Sequence, residues 1–243
     1  MLIEKSKVRF KMKKAKKCIY CGQRANTREH IPARNLVKDK GSVQFITVPS
    51  CSKCNSGFQK DEEFFRQLIA SILYEQSPVA TFLLNNPVAR SMKRKPALGV
   101  QMFQQMKVVN LYSKGNIYLG KRTAINITKN DHQRVFHVLD KYIEGLFFYH
   151  FGKAVSRDWV LRHSWLTRKL EEKVIDTLKN MRWERMKEDT FIYGFNSVPK
   201  TCQSIWCLVF FGQPLFYSLV LDKNNADKFG NKAERLYKNT HLE

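Results

Sequence analysis

The chain has 243 residues, enough to bury a real core in one large domain or two small ones. It carries 43 Lys and Arg against 21 Asp and Glu, a formal net charge of +22. Such an excess predicts attraction to a polyanion, because each phosphate neutralised by a cation releases counterions. No apolar run is long enough to span a bilayer and no signal-peptide pattern opens at Met1, so a cytoplasmic protein with no membrane partner is the expectation.

Lys5 to Lys17 holds eight Lys or Arg, and the alternation from Lys7 to Lys13 predicts a short exposed strand with one cationic face. It reads equally as a solubilising tail and as a phosphate-contacting arm. Cys18-x-x-Cys21 follows, with Gly22 freeing the backbone for a turn that points both sulfurs inward. A strand is expected around Thr27 to His30, stopped by Pro32, and a second at Val43 to Val48, ended by Pro49 and Ser50. Cys51-x-x-Cys54 comes next. A helix capped by Asn55 or Ser56 then carries Phe58, Phe65, Leu68, Ile69 and Ile72 near helical spacing.

Two Cys-x-x-Cys pairs supply four thiolates, the number and spacing of a tetrahedral structural Zn2+ site, and a small module has use for such a staple. Four unrelated buried thiols are the plainer alternative. Cys202 and Cys207 lie in an apolar run and read as core residues.

Beyond Gln76, Pro78, Pro87 and Pro96 suggest a helix–loop connection and a basic surface loop around Ser91 to Lys95. Short alternating runs between Val100 and Thr128 predict an antiparallel meander. Asn130 or Asp131 caps a helix to about Phe151, with Val135, Val138, Leu139, Tyr142, Ile143, Leu146 and Phe147 on its apolar face. A second helix is expected from Leu166 to Met186, then strands at 191–195, 204–211 and 215–221. His132, His137, His150 and His163 show no ligand spacing and read as structural. Trp183, Trp206, Phe210, Phe211 and Phe216 read as core. The fold class is α+β: residues 1–75 form the basic arm and zinc-stapled module, and 76–243 a helical and antiparallel-sheet domain serving a partner or DNA.

Cys-x-x-Cys, then Glu29-His30-Ile-Pro32, then Cys-x-x-Cys-Asn55 opening a helix resembles the HNH endonucleases of the ββα-metal, or His-Me finger, superfamily. The match covers Cys18 to Phe65, and the remainder is weakly similar to bacterial HNH proteins of this length. The resemblance implies a metal-dependent endonuclease acting on DNA, with the choice between DNA and RNA left open, in defence against phage or plasmids. It implies His30 as general base, Glu29 and Asn55 as ligands of a catalytic Mg2+ or Mn2+, and Cys18, Cys21, Cys51 and Cys54 as structural Zn2+ ligands. Arg28, Arg34, Lys53 and Lys60 flank the centre as candidate phosphate contacts.

The chain departs from the family pattern at one point: Ile46 stands where a middle Asn is expected, which leaves Asn35, Gln44, Thr47 or a backbone carbonyl to orient His30. Glu62, two turns after Asn55, is a candidate auxiliary ligand, although a solvated carboxylate in the first half of the helix is the favoured reading. Two further functions compete: a zinc-dependent nucleic-acid-binding protein without catalysis, and an effector subunit licensed by a regulatory protein partner.

Overall fold

The computed structural model describes residues 17–38, 41, 44–166, 172–186 and 190–226. The cationic strand expected at Lys7 to Lys13 lies outside them.

The described chain opens with a knuckle. Cys18 N–H donates to Gln23 O at 2.7 Å and Gly22 N–H to Cys18 O at 2.9 Å, a turn that needs the left-handed φ of 77° at Gly22. β1 (Thr27–Ile31) and β2 (Ile46–Ser50) then pair antiparallel, Glu29 opposite Val48 and His30 opposite Thr47. β2 includes Pro49 and Ser50 instead of ending before them. In a two-stranded sheet every strand is an edge, where a proline without an N–H is tolerated.

α1 (Ser52–Ile72) starts earlier than the expected caps allow. Its N-cap is Cys51, whose sulfur accepts the N–H of Cys54 at 3.4 Å, so Asn55 and Ser56 lie inside the helix.

The proline-rich stretch is helical, not looped: α2 (Pro78–Leu83), a π turn (Leu84–Val88), α3 (Ala89–Arg94) and α4 (Pro96–Gln105). Pro78 and Pro96 occupy first-turn positions where a missing N–H is harmless, and the wide π turn accommodates Pro87. The expected meander is a hairpin of β3 (Met106–Tyr112) and β4 (Tyr118–Ile125). α5 (Lys129–Phe151) carries the predicted apolar face, all seven residues buried. Its cap lies before the expected Asn130 or Asp131: Thr128 is the N-cap and forms a reciprocal capping box with Asp131.

Of the helix expected from Leu166 to Met186, the described residues hold the short α6 (Glu172–Lys179) and then a strand, β6 (Arg182–Arg185), while β5 (Trp159–Trp165), just before that range, was not foreseen. Long-range pairing overrides the helical spacing here. β5 pairs with β9 (Gln213–Asp222), β6 with β7 (Phe191–Ser197), and β8 (Ser204–Phe210) lies between β9 and β7. The result is a five-stranded antiparallel sheet of order β5-β9-β8-β7-β6. Trp206, Phe210, Phe211 and Phe216 are buried as predicted, but Trp183 is 42% exposed on the outer strand β6. Cys207 is core and Cys202 half-buried.

One cluster of buried side chains runs from Ile19 to Val220. Phe65 of α1 stacks on Phe216 with centroids 5.8 Å apart and meets Phe210 and Tyr142 edge-on at 5.3 and 5.9 Å. α5 therefore touches the large sheet on one side and the β1–β2 hairpin on the other. At Gly145 a side chain would overlap Ile31 Cδ1, so this close approach of α5 to β1 requires glycine. Among the described residues no helix is long and apolar enough to cross a membrane.

Candidate functional site

The hairpin and the start of α1 bring the four cysteines together. Cys18 and Cys21 come from the knuckle, Cys51 from the end of β2, and Cys54 from the first turn of α1. Ile19 N–H donating to Pro49 O at 3.1 Å ties the knuckle to β2. The four Sγ atoms lie within 4.8 Å of one another, Cys21 and Cys51 at 3.6 Å, and all four are free thiols. Tetrahedral Zn–S bonds set sulfurs about 3.8 Å apart, so the cluster can hold a metal ion such as zinc.

The electrostatics favour the same occupant. Burial raises the Cys18 thiol, but backbone N–H bonds from Cys51, Cys21 and Tyr20 outweigh it and bring Cys18 down to about 7. Burial and the neighbouring sulfurs push Cys54 the other way. Four crowded sulfurs cannot all ionise without a cation to share.

Beside this cluster is an open cleft of about 260 Å³ lined by Glu29, His30, Ala33, Arg34, Asn35, Asn55, Gln59 and Glu62. Glu29, His30 and Asn55 thus meet in one place, β1 supplying the first two and α1 the third. Asn55 is anchored by its amide nitrogen, which donates to Arg28 O at 3.3 Å and Thr27 Oγ1 at 3.4 Å, leaving its carbonyl oxygen for other use. His30 is half-buried, its ring edge-on to Phe45 at 5.4 Å. Partial burial, with Arg34 and Lys141 nearby, lowers its pKa against the opposing pull of Glu29, which favours the neutral imidazole.

Of the residues considered for orienting His30, Thr47 faces it across the hairpin. Asn35 lines the cleft, with a buried Oδ1 that has no hydrogen-bond partner among the described residues. Arg34 also lines the cleft. Arg28, Lys53 and Lys60 are exposed and lie outside its lining.

Glu62 differs from its favoured reading. It is buried, not solvated, because α5 covers it and delivers a cation. Lys141, fully buried, sits 2.8 Å from Glu29 Oε1 and also pairs with Glu62 Oε1. Burial raises the pKa of Glu62 while Lys141 lowers it, and burial prevails. Glu29 Oε2 is left buried and without a partner among the described residues.

Lys141 is the residue that sequence reasoning missed. The signal was a lysine amid the apolar positions Val138, Leu139, Tyr142 and Ile143, where burial demands a carboxylate partner. The four other histidines among the described residues do make structural contacts: His132 accepts from Trp165 Nε1, His137 meets Asp61, His150 meets Tyr193 Oη, and His163 bridges Asp140 and Ser218.

No protein-family model, curated protein or solved structure matches the chain.

Proposed function

We propose that the chain is a metal-dependent endonuclease of the HNH type that hydrolyses phosphodiester bonds in DNA. The observation that carries the reading is the meeting of Glu29, His30 and Asn55 in one cleft. The four-cysteine cluster carried by the same hairpin and helix and the charge of +22 support it. In this reading neutral His30 takes a proton from the water that attacks phosphorus.

The donor set fits a hard divalent cation. The partnerless Oε2 of Glu29 and the carbonyl oxygen of Asn55 would hold Mg2+ or Mn2+, with the partnerless Asn35 Oδ1 a further oxygen in the cleft. When bound, such an ion stabilises charge on the phosphate and on the leaving oxygen. Arg34 holds a phosphate oxygen at the rim, exposed Arg28, Lys53 and Lys60 meet the backbone farther out, and the cysteines hold structural Zn2+.

Incubation of supercoiled plasmid with Mg2+ or Mn2+ tests this. Wild type is expected to nick it, and His30→Ala to be about a hundredfold slower or worse, with zinc content and melting unchanged. Because the pKa of His30 is lowered, the acid limb of the rate profile should fall below the ordinary histidine value of 6.5. Equal cleavage by both proteins removes His30 from the role.

A second reading, an effector licensed by a protein partner, has its own observation. Val108, Ile117 and Leu119 of the β3–β4 hairpin are each more than half exposed. A partner bound there should co-purify at high salt, which a purely electrostatic association would not survive.

A further inference from the structure

The cleft contains a charge that the proposed chemistry does not use. Lys141 is completely buried, and its helix is locked in place: Tyr20 Oη donates to the Lys141 carbonyl at 3.5 Å, and Gly145, one turn on, lies against Ile31 of β1. Nζ takes Oε1 of Glu62 and Oε1 of Glu29, which also accepts the His30 N–H at 3.0 Å, while Oε2 of Glu29 has no hydrogen-bond partner among the described residues. With both carboxylates ionised the trio carries one net negative charge. Without the ammonium it would carry two, and Oε1 of Glu29, left with only the His30 N–H, would have a lone pair to offer a cation beside Oε2.

Building on the reading above, we propose that Lys141 is a positioning residue, a fixed counter-ion that limits Glu29 to one metal-binding oxygen and keeps the divalent cation weakly held. Buried charges must be compensated, and Lys141 does this in the absence of metal. The same positive charge repels an incoming divalent ion across a short, poorly screened distance. Glu29 and Asn55 would hold such an ion, which would supply charge stabilisation to a bound phosphate. The phosphodiester then supplies the negative charge that the ammonium cancelled.

Mn2+ binding to the zinc-loaded full chain tests this, read as the loss of the free-Mn2+ paramagnetic resonance signal. Lys141→Met is expected to bind Mn2+ at least tenfold more tightly than wild type. Removing Lys141 can impair folding, so the pair Glu62→Gln and Glu62→Gln/Lys141→Met repeats the comparison with only one carboxylate left uncompensated. The double variant is expected to bind at least tenfold more tightly than Glu62→Gln alone, and Mn2+ to raise its melting temperature more. Equal Mn2+ affinity within both pairs overturns the role of Lys141 and leaves the nuclease reading standing. If wild type and every variant bind no Mn2+, the metal-dependent reading falls as well.

Discussion

Two clusters of ionisable groups share the hairpin and α1, and they are compensated differently. The four cysteines interact with one another and with backbone N–H groups, so their negative charge has to be met by a cation from solution. Glu29 and Glu62 are met by Lys141 from the same chain. A metal held by the cysteine cluster would contribute directly to folding, whereas the charge of the carboxylate cluster is compensated by Lys141 from within the chain. The contrast also follows chain distance. The cysteines span residues 18–54, whereas Lys141 arrives on a helix nearly eighty residues after Glu62.

Removal of zinc should have the largest effect. Chelation, or Cys51→Ala, which also removes the acceptor that caps α1, is expected to abolish cooperative folding of the hairpin. Limited proteolysis should then cut between Cys18 and Cys54, with the five-stranded sheet still protected. An apo protein as protease-resistant as the zinc form would break the comparison from the cysteine side.

Next in size is Lys141→Met, which strands two buried carboxylates and is expected to cost about 3–5 kcal/mol in urea unfolding. Replacing the whole trio, Lys141→Met with Glu29→Gln and Glu62→Gln, should recover most of that loss, because the penalty comes from uncompensated charge and not from lost volume. If Lys141→Met alone is as stable as wild type, the carboxylates are not compensated from within the chain.

What could be read in advance follows the same division. Cys18, Cys21, Cys51 and Cys54 were legible because spacing alone fixes what they can do, and the meeting of Glu29, His30 and Asn55 followed from a local hairpin and helix. The apolar face of α5 was legible from its period. Lys141 and the burial of Glu62 were not, because which faces of α1 and α5 meet is decided by the tertiary fold. β5 was not foreseen, and β6 was read as the end of a helix, for a related reason: both exist through pairing with β9 and β7, and no local periodicity records a distant strand partner. The cap at Cys51 was hidden because a sulfur there is ordinarily read only as a metal ligand.

The smallest effect, and the one that isolates the docking of α5, is expected from Gly145→Ala. A methyl group at this position would overlap Ile31 Cδ1, and both residues lie at the contact that holds Lys141 against Glu29. Relief requires Ile31 or α5 to shift, at a cost of about 1–3 kcal/mol in urea unfolding. The displacement should fall on one cluster only. Amide exchange at Glu29, His30 and Ile31 is expected to rise, while Cys54 and Asn55 and the bound zinc stay as in wild type. Equal loosening of both clusters would mean that they form one cooperative unit, with no separation between the charge the chain supplies and the charge a metal must bring.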